Sequence, residues 1–173
     1  ASEIGRDVDV VVRDAVPADY AHIGAITLAA YRFDRLISDD SSYVDELTDA
    51  ARRATEAELI AAVDADSGAV LGSVTFCLPG STFSEIAEPG EAEFRMLSVA
   101  PEARGRGAGE ALVQECLRRA KQRGCTALVL LTRRYPRLPR HPARVYVQPS
   151  APAPVSAWDY TDPEGLQAAF DLG

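Results

Sequence analysis

The sequence has few of the residues from which metal centres and disulfide frameworks are built. It contains only three cysteines and two histidines in 173 residues. Cys77, Cys116 and Cys125 are odd in number and lack C-x-x-C spacing, so no metal site and no set of disulfides is expected. We interpret them as small apolar residues of a protein in a reduced cytoplasm, because free cysteine is usually buried. We interpret His22 and His141 as surface or structural residues.

Long apolar runs and an excess of positive charge are also absent. No apolar run approaches the roughly 20 residues of a membrane-spanning helix, and the first residues, ASEIGRDVDV, do not resemble a secretory signal. A cytoplasmic location without a membrane partner is therefore expected. The net charge of −8 disfavours nucleic acid as a partner, because basic surfaces bind that polyanion. Apolar residues make up 47% of the chain, as is usual for a globular protein.

The first half of the chain predicts alternating strands and helices. A β-branched run at Val8–Val12 precedes Pro17, which suits the first turn of a helix. Ser42, three residues before Asp45, resembles a capping box and predicts a second helix that ends near Arg53. Two apolar runs around the sequence DADSG then predict a hairpin.

The next segments predict a crossover unit. EAEFRMLSV predicts a strand, CTALVLLT predicts a second strand, and the amphipathic segment between them predicts a helix. Two strands joined in this way lie parallel. Alternation along the first strand places Glu91, Glu93 and Arg95 on one face. The same alternation places Phe94 and Met96 on the other face.

The character of the chain changes over residues 133–154. This stretch has six of the eleven prolines and five arginines, and it is poor material for a long regular element. One hypothesis is that a reading-frame change or a recent divergence altered it, which resequencing the coding DNA would test. Residues 158–173 predict one or two terminal strands. With no internal repeat and no second domain, residues 1–173 are predicted to form one domain.

Three glycines at alternate positions, Gly105, Gly107 and Gly109, stand at the start of the amphipathic helix. Glycine permits positive φ and a close approach of backbone N–H groups to a ligand. The helix N-terminus adds free amides and the positive end of its dipole. These features predict an anion site for which phosphate is the natural occupant, with Arg104 and Arg106 adding positive charge.

The spacing of the glycines excludes two common phosphate motifs. A dinucleotide fingerprint needs a third glycine where Glu110 stands, and a Walker loop would end in Gly-Lys-Ser/Thr, which is absent. The remaining pattern is Arg-x-x-Gly-x-Gly, filled by Arg104, Gly107 and Gly109.

The segment MLSVAPEARGRGAGEALV resembles the acetyl-coenzyme A motif of the GNAT-type N-acetyltransferase superfamily, Gln/Arg-x-x-Gly-x-Gly/Ala between a strand and a helix. The order of elements from Val8 to Thr132 resembles the plan of the same family. The resemblance implies a single α/β domain with a mixed, mostly antiparallel central sheet of six to seven strands flanked by helices. Residues 91–132 would form its cofactor core.

The resemblance also implies that acetyl-CoA binds as the acyl donor. The turn would hold the pyrophosphate with backbone amides, and the strand before it would pair with the pantetheine arm as though the arm were an added strand. The implied cofactor-binding residues are Leu97, Ser98, Val99, Arg104, Gly105, Arg106, Gly107, Ala108 and Gly109.

Catalytic residues are implied by the same resemblance. The family base, where there is one, is often a glutamate at the position of Glu93, with Glu91 as the alternative and an ion pair with Arg95 as the structural interpretation. A base is needed because an alkyl amine has an ordinary pKa of about 10 and is protonated at pH 7. In many relatives a tyrosine in RLYERLGF protonates the leaving thiolate. The partial match RVYVQPSA offers Tyr146, for which a buried packing role is the alternative.

The implied activity is direct transfer of acetyl from acetyl-CoA to a primary amine within a ternary complex. Ten acids against three arginines between Asp34 and Asp66 form either a solvated face or a rim that attracts a cationic small molecule. A protein amine stays open as the acceptor, and a homodimer is common in the family. The alternatives are an acyl-CoA-binding module that lost catalysis through residues 133–154, and another phosphate-ligand enzyme.

Overall fold

The computed structural model describes residues 9–38, 41–132 and 143–147, with only the backbone described for 131–132 and 143–147. Short 3-10 turns at Pro17–Asp19 and Pro101–Ala103 precede the first and last helices. The elements in chain order are β1 (Val10–Asp14), α1 (Tyr20–Phe33), α2 (Val44–Thr48), α3 (Ala50–Glu56), β2 (Glu58–Asp64), β3 (Val70–Cys77), β4 (Glu91–Val99), α4 (Ala108–Gln122), β5 (Ala127–Thr132) and β6 (Ala143–Val147).

The six strands form one sheet in the order β1-β2-β3-β4-β5-β6. All neighbours are antiparallel except β4 and β5, which are parallel and joined by α4. A parallel pair needs such a crossover because the chain must return to the end of the sheet at which the first strand began, and a tight turn cannot span that distance. The predicted single α/β domain with a mixed, mostly antiparallel sheet is confirmed. Strand β6 lies within the atypical stretch 133–154.

Helix α4 covers one face of the sheet. Leu112, Val113 and Cys116 are fully buried against strands β2, β3 and β4, and Leu117 packs at the margin. Ala120 continues this apolar face one turn later, so the predicted amphipathic helix is confirmed. The helix ends in the conformation that its glycine favours: Gly124 has φ +70°, and the N–H of the next residue bonds the Ala120 carbonyl at 2.9 Å.

Helices α1, α2 and α3 cover the other face. Gly24 of α1 lies against α2 so closely that a Cβ atom there would stand 2.5 Å from the Thr48 carbonyl oxygen. Glycine is therefore required at this crossing. The turn before α1 has the predicted form, because Pro17 opens it and the Asp19 carboxylate accepts the N–H of Val16 at 2.9 Å.

The predicted helix from Ser42 to Arg53 is two short helices, so that prediction is wrong. Helix α2 begins after Tyr43 and has no side-chain cap. The chain leaves helical geometry at Asp49, whose carboxylate accepts the N–H of Arg52 at 3.0 Å and caps α3. An aspartate that satisfies a free amide in this way starts a new helix.

Strand β4 contains a β-bulge centred on Met96, which has φ +52°. Thr75 of β3 pairs with Arg95, and Ser73 pairs with Ser98, so β4 advances three residues where β3 advances two. The extra residue reverses the alternation of side chains beyond that point.

The predicted grouping of Phe94 with Met96 is therefore wrong. Phe94 packs in the α4 cluster, whereas Met96 packs on the opposite face with Leu47 and Phe83. After the bulge it is Leu97 that returns to the α4 side.

The remaining predictions concern the cysteines, the histidines and the C-terminal strands. Cys77 and Cys116 are buried free thiols, and burial raises the pKa of Cys77 to about 12. His22 is exposed. The predicted strands of residues 158–173, together with His141, lie outside the described residues. Within the described ranges, none of the helices has the length and apolar character needed to cross a membrane.

Arg119 of α4 ties the helix to the edge of the sheet. Its guanidinium contacts Glu115 at 2.9 Å, Glu58 of β2 at 2.8 Å and Asp14 of β1 at 2.7 Å. Hydrogen bonds from Arg118 and then Arg119 lower the pKa of Glu115 to about 2. A depressed carboxylate pKa contributes stability that is present above its unfolded value, about 4.3, and is lost as pH falls toward about 2.

Replacing Glu115 should expose this dependence. Glu115→Gln is expected to lower the free energy of unfolding at pH 7 by about 1–2 kcal/mol, after discounting for partial solvent exposure. The difference from the wild type should shrink as pH falls below about 4.5. Urea unfolding at pH 7, 5 and 3 measures it. Glu110→Gln, at the exposed start of α4, is the control, and a pH-independent loss in Glu115→Gln would contradict the assignment.

Candidate functional site

Strands β4 and β5 separate along their length. Their ladder pairs Glu91, Ala92 and Glu93 with Ala127, Leu128 and Val129, and within the described part of the chain it ends there. From Phe94 to Val99, β4 stays paired with β3 along its other edge only. An open edge of this kind accepts an extended ligand that carries amide groups. The predicted main-chain positions on this edge are Leu97, Ser98 and Val99.

The bulge at Met96 lies at the middle of this open edge. A bulge bends and twists its strand, and bulges are common beside active sites. The other edge of β4 is held tightly, because a Cβ atom on Gly72 would stand 2.5 Å from the Ser98 carbonyl oxygen. Glycine at this position lets β3 follow β4 through its bend.

The glycine turn lies at the C-terminal end of the open edge. Gly105 and Gly107 have φ of +79° and +82°, and no atom beyond the adjacent residues lies within 4 Å of an added Cβ at either position. Gly107 caps α4 without a side-chain hydrogen bond, and the Ala111 N–H bonds its carbonyl at 3.0 Å. The amides of Ala108 and Gly109 precede that bond and point out of the helix at the positive end of its dipole. The turn thus has the backbone geometry that is typical of anion sites at helix N-termini.

The two arginines of the turn pair with carboxylates. Arg104 contacts both oxygens of Asp34, at 3.0 and 2.9 Å, and stacks over the Phe33 ring at 4.9 Å. Arg106 contacts Asp64 at 2.7 Å. The Ser67 N–H and then Arg106 hold the pKa of Asp64 below its usual range. Each guanidinium therefore already has a carboxylate partner.

Glu93 is fully buried on β4. Its Oε2 atom accepts four hydrogen bonds from the β3–β4 loop, whereas its Oε1 atom has no partner among the described residues. One carboxylate oxygen thus organises the loop, and the other is buried without a partner in the described part of the chain. The donors to Oε2 are the Ser84 hydroxyl at 3.0 Å and the N–H groups of Glu85, Ile86 and Ala87 at 2.9, 3.1 and 3.2 Å.

Arg95 makes its contacts with other partners than Glu93. It contacts Glu85 at 2.8 Å, donates to the Phe83 carbonyl at 2.9 Å and donates to the Tyr43 hydroxyl at 3.3 Å. Glu91, the alternative base, accepts the Glu88 N–H at 2.9 Å at the start of the strand.

Most acidic residues between Asp34 and Asp66 make contacts with other groups of the same chain. Six of the ten acids pair with an arginine or cap a helix, which favours a structural role over a rim that attracts cations. These are Asp34 with Arg104, Glu46 with Arg95, Asp49 at the start of α3, Glu56 with Arg52, Glu58 with Arg119 and Arg123, and Asp64 with Arg106.

Tyr146 lies on strand β6. Its backbone is in register with Val129 of β5, which is in turn in register with Glu93. The two candidate catalytic residues therefore occupy one row of the sheet, two strands apart, or about 10 Å at the usual strand spacing.

A buried polar cluster beside β4 was missed by the sequence analysis. Arg53 has no exposed surface and contacts the hydroxyls of Thr27 and Thr75. The Thr27 hydroxyl lies 3.1 Å from that of Ser98, on the open strand. Helical spacing offered a signal for the burial of Arg53. This residue follows the buried Ala50 by three positions, so the two lie on the same face of α3. Among the described residues, no group of three His, Cys, Asp or Glu side chains is arranged to hold a metal ion.

Comparison with known proteins shows which chains are similar to this one. The profile of the Acetyltransferase (GNAT) family matches residues 25–143, about two thirds of the chain. A GNAT family acetyltransferase from Brucella melitensis, solved in complex with acetyl-CoA, is 28% identical, with a TM-score of 0.54 over 72% of this chain and 77% of that one. No curated protein sequence matches the chain.

More distant structures share the fold. The PaiA N-acetyltransferase from Thermoplasma acidophilum, solved with coenzyme A, is 18% identical, with a TM-score of 0.57 over 72% of this chain and 79% of that one. An acetyltransferase of the GNAT family from Staphylococcus aureus Mu50 is 10% identical, with a TM-score of 0.56 over 72% of this chain and 74% of that one.

Removing the Glu93 carboxylate should release the β3–β4 loop. Glu93→Ala is expected to lower the free energy of unfolding by about 2–4 kcal/mol, because several donors lose their acceptor. Glu93→Gln keeps one side-chain oxygen and should lose less than half as much. Urea unfolding and limited proteolysis at residues 84–87 measure the effect. Equal stability of the alanine variant and the wild type would show that the loop does not depend on this carboxylate.

Proposed function

We propose that this chain, which belongs to the acetyltransferase (GNAT) family, transfers an acetyl group from acetyl-CoA to a primary amine of a small molecule. One observation carries the proposal: the open edge of β4 leads directly into a turn of free amides. Such a site suits a ligand with an extended arm that carries amides and ends in a pyrophosphate. Acetyl-CoA has both parts.

Main-chain atoms would hold most of the cofactor. The pantetheine arm would pair with Leu97, Ser98 and Val99, where β4 has lost its neighbour. The pyrophosphate would accept hydrogen bonds from the backbone of residues 104–109. Neutral amides suit this role because they are fixed in place before the ligand arrives.

Glu93 is proposed as the base. Its Oε1 atom, which has no partner among the described residues, would accept a proton from the ammonium group of the acceptor, directly or through water. The free amine then attacks the thioester carbonyl, and the C–N bond forms as the C–S bond breaks. The nitrogen loses its second proton as the amide forms, and the coenzyme A thiolate gains a proton. Tyr146 is proposed as the donor to that thiolate.

A second candidate function is an acyl-CoA-binding module without catalysis. It is favoured by one observation, the commitment of the Glu93 Oε2 atom to four loop donors. This candidate shares the cofactor site and differs only in turnover. Both functions predict binding of acetyl-CoA, so a measurement of acetylation separates them.

The cofactor site is tested by calorimetric titration with acetyl-CoA. Gly107→Glu is expected to weaken binding at least 100-fold, because it places a carboxylate where the pyrophosphate would lie. Gly124→Glu is a matched control: its glycine has a similar positive φ and open surroundings, at the other end of α4. Free coenzyme A should also bind, and ATP and NAD should not. If a folded wild-type protein fails to bind acetyl-CoA, the proposed function is wrong.

The base is tested with Glu93→Gln. For the best amine found in a screen, kcat at pH 7 is expected to fall about 10²–10⁴-fold while acetyl-CoA affinity stays within about threefold. Raising the pH supplies more free amine, so the variant should recover part of its rate by about pH 9.5. Release of coenzyme A thiol measures turnover. A variant with wild-type kcat at pH 7 would assign Glu93 to the loop alone.

A further inference from the structure

Arg53 of α3 is a buried cation without a carboxylate partner. It donates to the Leu47 carbonyl at 3.0 Å and makes longer contacts of 3.3 and 3.4 Å with Thr27 and Thr75. Within the described ranges, its Nε atom has no hydrogen-bond partner and no carboxylate lies within 4 Å of the guanidinium. Its sequence neighbour Arg52 is exposed and paired with Glu56.

The nearby acids are committed to other groups. Glu46 contacts Arg95, and Asp49 caps the first turn of α3. Burial lowers the pKa of Arg53 to about 10, the direction expected where a cation lacks a counter-charge. A buried charge without a counter-charge is costly, and the hydrogen bonds of Arg53 to one carbonyl and two hydroxyls supply no counter-charge.

A continuous group of hydroxyls connects Arg53 to the cofactor strand. Ser73 and Thr75 lie on one face of β3, and Ser98 of β4 is in register with Ser73. The Thr27 hydroxyl bridges Arg53 and Ser98, so the guanidinium lies less than about 7 Å from the Ser98 hydroxyl. The Ser73 hydroxyl is a second buried atom without a partner in the described part of the chain. The cluster therefore has spare donors and a net positive charge.

We propose that Arg53 determines acceptor specificity by binding a carboxylate, so that the acceptor is an amino acid or another short amine that carries a carboxylate. This inference rests on the proposed function, because it assigns the acceptor of that same site. A carboxylate accepts the two parallel N–H groups of a guanidinium better than hydroxyls do. In an α-amino acid, one carbon separates the amine from the carboxylate, which suits the short distance from Arg53 to the strand assigned to the acyl arm.

The guanidinium is sealed from solvent in this structure. Arg53 has no exposed surface, and it donates to the carbonyl of Leu47 in α2, a helix of five residues. Binding an acceptor carboxylate therefore requires a movement of the elements around Arg53, and the carboxylate would replace the two long contacts with Thr27 and Thr75.

The test compares L-amino acids with their α-carboxamides as acceptors at saturating acetyl-CoA. For the best pair, kcat/KM for the acid is expected to exceed that for the carboxamide at least 100-fold, because only the acid pairs with Arg53. Arg53→Gln should reduce this ratio to below fivefold, and Arg53→Lys should restore part of it. Arg52→Gln, at the exposed neighbouring position, should leave the ratio unchanged.

The outcomes separate this inference from the proposed function. Acetylation of carboxamides as fast as acids by the wild type, or an unchanged ratio in a folded Arg53→Gln protein, would overturn the carboxylate assignment and leave the acetyltransferase assignment in place. Failure to bind acetyl-CoA would overturn both. Even if Arg53→Gln does not fold, the comparison of acid and carboxamide in the wild-type protein tests whether the acceptor carries a carboxylate. Thermal unfolding and acetyl-CoA titration establish whether each variant is folded.

Discussion

A single extra residue in the central strand sets the geometry of the whole site. Before the bulge at Met96, odd-numbered residues of β4 face the α1–α3 layer, and beyond it even-numbered residues do. Glu93 and Ser98 would lie on opposite faces of a regular strand, but the bulge brings both to the same face. The candidate base and the polar cluster around Arg53 are therefore on one side of the sheet. A left-handed Met costs on the order of 1–3 kcal/mol, and such strain is often found at functional sites.

The polar atoms that the fold leaves unsatisfied follow the same pattern. Of the four such buried side-chain atoms in the described residues, three are Glu93 Oε1, Arg53 Nε and Ser73 Oγ, and all lie on the α1–α3 side of the sheet. Buried polar groups in native proteins are almost always paired, so a group of exceptions needs a reason. The three atoms supply one acceptor and two donors. That combination matches an acceptor molecule with an ammonium group and a carboxylate.

Features that depend on neighbouring residues in the sequence were predicted, whereas features that depend on tertiary contacts were not. The glycine turn, the crossover helix and the parallel pair depend on neighbouring residues, so Gly107 and the helix after it could be read from spacing. The bulge has no such signal, because nothing about Met96 itself indicates positive φ. The burial of Arg53 depends on helices α1 and α2 closing over α3. Asp49 caps a helix whereas Ser42 does not. Both residue types favour N-caps, so residue type alone did not separate them.

The proposed anion site would use neutral groups where the sequence predicted positive charges. Because carboxylates hold the guanidinium groups of Arg104 and Arg106, their charge is largely compensated before a ligand arrives. The remaining attraction comes from backbone amides and the helix dipole, which act only within about the first turn of the helix. Such a site discriminates by shape more than by long-range attraction. The acidic net charge of −8 is therefore compatible with an anionic cofactor, since the turn presents fixed donors at short range while the rest of the surface repels other polyanions.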